Sequence, residues 1–381
     1  MAAIPFSTFV VKVASRCNLN CSYCYMYNLR DKTYLGQPAV MSTLVREAMC
    51  DRIIDHAREH NLLDVHIILH GGEPLLIGKK NLKNWVESVR SRFDAEKTTP
   101  HFSVQSNGVL IDDEWIELLF ELNVRIGLSI DGPKSYHDAV RIDHSGRGSY
   151  DDVVAAIKRL RTHPLGKEIF SNVMAVVNPE IDPVEMYSFW DIIDVRGFDI
   201  NLPHANHVYP PPYPISKYGD WMINFFDCWY FDNNPDRHVR FFENFMRMLF
   251  RYPFSTDNIG GRPVNILVVE TDGSLEPTDA FKCSFDGVTK LGADVFKNSL
   301  SSVSSHPLIK QYQEGAGALC EVCSNCQAKE VCGGGYMPHR YGNDETFLHP
   351  SVYCDALLPL SRHIRRRILE SMPDQMARRL Q

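Results

Sequence analysis

Positive charge is in short supply. Lys and Arg number 40 against 47 Asp and Glu, a net charge of −7 at neutral pH. Phosphate binding draws on clustered Lys and Arg, so this balance argues against a general nucleic-acid binder. An export signal is missing too: Met1-Ala2-Ala3-Ile4-Pro5 carries no basic residue, and the apolar start is too short. No apolar run reads as a membrane span. These absences set the meaning of the eleven cysteines. With no route to an oxidising compartment they are expected to ligate metal in a reducing cytoplasm, not to form disulfides. The rest is ordinary: 381 residues, 44% hydrophobic and 23% charged, fit one barrel-sized domain with a small appendage.

Strand-like and helical patterns alternate along the first half. After the apolar run that opens the chain, strands are predicted at 65–70, 102–105, 124–130, 170–177 and 198–202, each followed by a loop and a helical period. Ser42 is expected to cap the first helix, Asp182-Pro183 to open another, and Ser149 with Asp152 to form a capping box. Six β/α units over roughly 8–205 imply right-handed crossovers and a parallel sheet, an α/β fold of the incomplete (β/α) barrel type. The cysteine loop, Gly71-Gly72-Glu73-Pro74, Ser106-Asn107-Gly108, Asp131-Gly132-Pro133, Asn178-Pro179 and Pro203-His204-Ala205 all follow strands. That is the end where such barrels place their active sites. Turn chemistry explains any one of these stretches, but not their shared end.

A stiff proline run at 210–214 leads to two aromatic-rich helical segments, 216–231 and 237–251, expected as barrel-covering core, with a substrate groove the alternative for part of them. Residues 264–276 read as a β-hairpin turning at Asp272-Gly273, and 355–379 as a helix with a solvated basic face.

Cys17, Cys21 and Cys24 put three thiols in eight residues, at spacing C-x3-C-x2-C. Such a set can hold three corners of a cubane iron–sulfur cluster, leaving the fourth iron without a side-chain ligand. An open metal position separates a catalytic centre from a closed structural one. Zinc and ordinary core cysteines are the competing readings. Zinc sites come as paired arms about 12 to 20 residues apart, and no second arm follows soon enough.

With Tyr23 just before the third thiol, this loop resembles the signature of the radical S-adenosylmethionine (SAM) superfamily. The resemblance implies a partial (β/α)6, TIM-like radical SAM barrel whose [4Fe-4S] cluster binds SAM and cleaves it to a 5′-deoxyadenosyl radical. It also implies that Tyr23 packs by the adenine, and that Gly71, Gly72, Glu73 and Pro74 match the motif holding the SAM amino group. Ser129 and Arg141 would contact the SAM carboxylate or ribose, with Gln105 and Asn107 nearer the substrate. Capping and salt bridging remain an equal account of Asn107.

A second thiol run, Cys320-x2-Cys323-x2-Cys326-x5-Cys332-Gly333-Gly334-Gly335-Tyr336 with Cys354 further on, resembles the C-terminal SPASM-type extension that carries auxiliary clusters. Cys323, Cys326, Cys332 and Cys354 supply four ligands for one auxiliary [4Fe-4S] cluster. Tyr336 and Thr278 stand where a second cluster would need thiols, so one is expected, with Cys283 and Cys320 uncommitted. Zinc in the four-thiol site is the competing reading. Asp279 sits where the resemblance places a proton-accepting carboxylate; a turn cap explains it nearly as well. The expected division is 1–205 barrel, 206–262 helical bridge, 263–358 SPASM-type segment and 359–381 terminal helix.

The phrases Leu69-His70-Gly71-Gly72-Glu73-Pro74, Leu202-Pro203-His204-Ala205 and Gly333-Gly334-Gly335-Tyr336 are similar to those of peptide maturases that install three-residue cyclophanes. That resemblance implies abstraction of a side-chain β-hydrogen and an intrapeptide crosslink to an aromatic ring. The implied partners are a precursor peptide with its leader and a flavodoxin- or ferredoxin-type reductant, with no nucleic acid or membrane involved. With no leader-binding domain expected ahead of the first strand, leader recognition is expected at the barrel rim, the helices after the proline run or a separate protein, with β-addition to an exposed strand edge as the favoured mode. Sulfatase maturation to formylglycine, β-carbon hydroxylation and a non-catalytic iron–sulfur electron carrier are the alternatives.

Overall fold

The computed structural model describes residues 4–252 and 256–372. The chain divides into two compact units: Met1–Ile130, Lys134–Met174 and Asn265–Gln313 form the first; Asp131–Pro133, Ala175–Val264 and Glu314–Gln381 form the second. Nine strands lie among the described residues: β1 (Thr8–Ala14), β2 (Asp64–Gly71), β3 (Thr99–Ser106), β4 (Val124–Ser129), β5 (Phe170–Val176), β6 (Phe198–Asn201), β7 (Ile266–Val269), β8 (Ser274–Glu276) and β9 (Ala293–Asp294).

In the first unit β1 to β5 pair side by side in parallel, as strands joined through helices must. Successive side chains alternate between faces. Val11, Val13, Ile67 and Leu69 are fully buried, while Lys12 and His70 share the opposite face at one register level. β7 pairs in parallel with the free side of β1, and β8 and β9 continue antiparallel from it. The expected hairpin is therefore present as β7–β8, and it extends the barrel sheet. Residues of the 263–358 segment are shared between units, Asn265–Gln313 in the first and the remainder in the second.

Side-chain caps set several helix starts. Ser42 accepts the Val45 amide at 3.2 Å, and Asp182 accepts those of Val184 and Glu185 with Pro183 opening the helix. Ser149 departs from its expected role. Its hydroxyl donates to the Arg141 carbonyl at 2.8 Å and faces His137, so no capping box forms.

In the second unit, the Val177 amide just past β5 donates to the Asn201 carbonyl of β6 at 2.9 Å. Trp221, Phe225 and Phe226 of the helix Ile215–Asp232 are buried, as are Phe241, Phe242 and Phe245 of Arg240–Leu249, so the aromatic stripe is core. The terminal helix runs Cys354–Ser371; residues from 373 onward lie outside the described ones. Arg367 on it pairs with Asp227 at 2.8 Å. The fold is the expected α/β partial barrel with a cysteine-bearing C-terminal extension. Among the described residues no helix is long and apolar enough to cross a membrane.

Candidate active site and auxiliary thiol centre

The first centre lies within the first unit, where β1 to β4 end. The thiol loop is fixed by backbone hydrogen bonds: Asn20 and Ser22 donate to the carbonyls of Ile142 and Val140, at 2.7 and 3.0 Å. Those bonds bring Arg141 beside the loop, where its Nη1 donates to the Tyr23 hydroxyl at 2.7 Å. Burial pushes the Cys17 thiol up to about 12, with Glu73 and the other two loop thiols adding to the rise. Burial raises Cys24 as well. Left alone these groups stay protonated, so metal must displace their protons on binding.

Gly71 and Gly72 dock against the end of β1, the Gly72 amide donating to the Ala14 carbonyl at 3.0 Å and Glu73 to that of Arg16 at 2.9 Å. A Cβ on Gly71 would fall 1.8 Å from the Ala14 oxygen; one on Gly72 would fall 2.4 Å from the Arg16 oxygen. Only glycine permits this approach.

Glu73 is fully buried and its carboxylate is occupied. It accepts from the Leu75 amide at 3.0 Å, the Ser106 hydroxyl at 2.9 Å and the Asn107 amide at 2.8 Å. Burial raises its pKa against those hydrogen bonds. The motif thus fastens the end of β2 to the end of β3. Pro74 follows, buried, at the first position of a short 3-10 turn. Asn107 reaches the thiol loop: its Nδ2 donates to Asn18 Oδ1 at 2.7 Å and lies 3.8 Å from the Cys17 sulfur. Gln105 donates to the Ser129 hydroxyl at 3.1 Å, one strand along.

Asp279 lies in a buried cluster of charges that sequence reasoning did not foresee, joined through Lys12 to Met26 just past the thiol loop. Lys12 on β1 donates to Asp279 Oδ2, approaches His70 Nδ1 at 3.0 Å and Met26 Sδ at 3.9 Å. An ammonium has three protons, and these are its three partners. Lys282 faces Glu270 at 2.8 Å and Glu276 at 3.2 Å, and Lys290 faces Glu276 at 2.7 Å. Burial works to raise Asp279; Lys12, Lys282 and His70 outweigh it and hold the carboxyl below its ordinary range. His70 is pushed down to about 3, chiefly by burial and then by Lys12. Asp279 Oδ1 is buried with no hydrogen-bond partner among the described residues. The signal that could have found Lys12 was present: one charge inside the apolar run Phe9-Val10-Val11-Lys12-Val13.

The second centre lies within the second unit. Cys323, Cys326, Cys332 and Cys354 line one cleft with Gly334, Pro350 and Ser351. Cys320, left uncommitted by its spacing, lies within hydrogen-bond reach of Cys323. Burial pushes Cys332 up to about 11 and Cys323 to about 12.

In neither centre do three sulfurs lie within 4.8 Å of one another, a spacing reached among the described residues only by His56–Glu59–His60 and Glu270–Glu276–Asp279.

Residues 11–187 match the family model of the radical SAM superfamily. Over 361 residues, 92% of this chain and 94% of the other, the sequence is 26% identical to a cysteine-type anaerobic sulfatase-maturating enzyme of Clostridium perfringens (strain 13 / Type A). Over 195 residues, 50% of this chain and 45% of the other, it is 34% identical to the serine-type enzyme of Bacteroides thetaiotaomicron. The fold is similar to that of native anSMEcpe with bound AdoMet, with a TM-score of 0.83 at 24% identity over 95% of this chain and 98% of that one. It is also similar to Streptococcus suis SuiB bound to its precursor peptide SuiA, with a TM-score of 0.59 at 15% identity over 92% and 76%. Residues 11–187 are thus similar to the radical SAM superfamily, and across 92% of its length the chain, an enzyme with SAM and iron–sulfur clusters as its cofactors, is similar to the anaerobic sulfatase-maturating enzymes.

Proposed function

We propose that the enzyme removes a hydrogen from a side-chain β-carbon of a ribosomally made peptide and joins that carbon to a nearby aromatic ring. The observation that carries the reading is the joining of the thiol loop to the strand ends through Asn107, Glu73 and Arg141. Cys17, Cys21 and Cys24 would hold the catalytic cluster, and Cys323, Cys326, Cys332 and Cys354 one auxiliary cluster. When bound, SAM and its cluster supply a 5′-deoxyadenosyl radical that takes a hydrogen atom, and the auxiliary cluster supplies a one-electron acceptor.

Tyr23, Arg141, Ser129, Asn107 and the Gly71–Pro74 stretch line the SAM side in this reading. Gln105 orients the substrate, its amide steadied by Ser129. Asp279 takes the ring proton on Oδ1. A carboxylate held low by Lys12 is a weak base, and it suits a proton made acidic by loss of an electron from the ring. Balance is then complete: one hydrogen atom, one proton and one electron leave the peptide. The leader peptide and a flavodoxin- or ferredoxin-type reductant are the partners this reading requires.

Oxidation of a sulfatase Cys or Ser to formylglycine is the second reading. It is favoured by the names of relatives that match across 92% of the chain. The test is anaerobic coexpression with short peptides encoded beside the gene, and separately with a Cys-containing sulfatase peptide. A crosslinked product loses two hydrogens and resists hydrazide reagents; formylglycine reacts with them. A hydrazide-reactive product from the sulfatase peptide, with the encoded peptides untouched, overturns the crosslink reading.

A further inference from the structure

Three consecutive glycines after Cys332 have no part in the scheme above, yet their conformation is unusual. Gly333, Gly334 and Gly335 all adopt positive φ, at +58°, +77° and +68°. L side chains rarely take such values, so this turn is reserved for glycine. Here the Gly335 amide donates to the Cys332 carbonyl at 2.9 Å, and Gly334 lines the cleft beside the four thiols. The turn is clamped by Arg340, buried, whose Nη2 donates to the carbonyls of Gly333 and Gly335 at 2.7 and 2.6 Å. The guanidinium is packed against the turn itself: a Cβ on Gly334 would fall 3.1 Å from its central carbon. Its charge acts on the thiols of both Cys323 and Cys332, favouring their anionic forms.

We propose that Arg340 and the triple-glycine turn set the reduction potential of the auxiliary cluster, keeping it ready to accept an electron. This rests on the reading that Cys323, Cys326, Cys332 and Cys354 hold that cluster. The potential of such a cluster depends on net charge, hydrogen bonds to its sulfurs and solvent exposure. Adding an electron adds negative charge. A fixed cation held against the turn that follows one ligand favours the reduced form and raises the potential. Arg suits the task because its planar fork spans two carbonyls while its charge stays on at any working pH.

The test uses the full chain carrying Cys17→Ala, Cys21→Ala and Cys24→Ala, reconstituted anaerobically with iron and sulfide, so that one cluster remains to be titrated by EPR. Arg340→Met is expected to weaken electron binding about tenfold, a shift of about 59 mV to more negative potential. Arg340→Lys should fall between the two. Should Arg340→Met not fold, Arg340→Lys carries the test, its potential expected below that of the unsubstituted cluster. A potential unmoved by Arg340→Met, or by Arg340→Lys where that alone folds, overturns the inference. Failure to load any iron at the four thiols would instead overturn the auxiliary-cluster reading beneath it.

Discussion

Lys12 and Asp279 stand 267 residues apart in the chain and meet as an ion pair, their side chains 1% and 6% exposed. Breaking a buried pair costs more than the pair contributes, because one charge is left without its partner. Lys12→Met is expected to destabilise the protein by about 3 to 5 kcal/mol. The double variant Lys12→Met/Asp279→Asn should recover part of that loss. Denaturant midpoints of the metal-free protein at pH 7 measure both, and strict additivity of the two substitutions would contradict the pairing. Asp279→Asn alone should still release 5′-deoxyadenosine while losing peptide product by about 10²- to 10⁴-fold.

Acid should weaken the first unit through His56. Its Nε2 accepts the Phe6 amide at 3.0 Å, and burial, followed by His60, pushes it down to about 4. The unfolded chain therefore binds the proton first. Stability is full above about pH 6.5 and declines as pH falls toward 4. His56→Gln should remove one proton from that dependence, up to roughly 1.4 kcal/mol per pH unit. Unfolding midpoints at pH 7 and pH 5 check this, and an unchanged slope in the variant counts against it.

Gly72→Ala should cost the catalytic cluster. The added Cβ would meet the Arg16 carbonyl at 2.4 Å and the Tyr27 hydroxyl at 2.1 Å, pushing the thiol loop off the strand. Iron bound after reconstitution is expected to drop by about the share of one cluster in two. Gly36→Ala is the matched control, since nothing lies within 4 Å of its Cβ. Equal iron in the two variants would refute the argument.

The fifth thiol of the second centre separates spacing from proximity. Cys320 lies within reach of Cys323 but does not line the cleft as Cys354 does. Cys320→Ser should keep the auxiliary iron, and Cys354→Ser should lose it. Iron and sulfide analysis decides, and the reverse outcome would make Cys320 a ligand.

Much was legible before any coordinate. The spacing of Cys17, Cys21 and Cys24, the glycines that follow β2, and the alternation of strand and helix are local patterns. Each is dictated by what one loop or one turn can do with its own backbone. Helix starts at Ser42 and Asp182 follow from side chains that reach only two or three residues ahead. Ser149 shows the limit of that logic, since the Arg141 carbonyl, brought close by a turn of the chain, outcompeted the helix amides for its hydroxyl.

By itself, then, the sequence determined the barrel class, the two sets of thiols and the strand ends that carry the candidate site. Tertiary structure alone decided that β7 pairs with β1, that Lys12 finds Asp279, that the Glu73 carboxylate is taken up by Ser106 and Asn107, and that Arg340 clamps the glycine turn. The reason is physical. Periodicity and turn chemistry act over a few residues, whereas a buried charge selects its partner from whatever packing brings into the same water-free space.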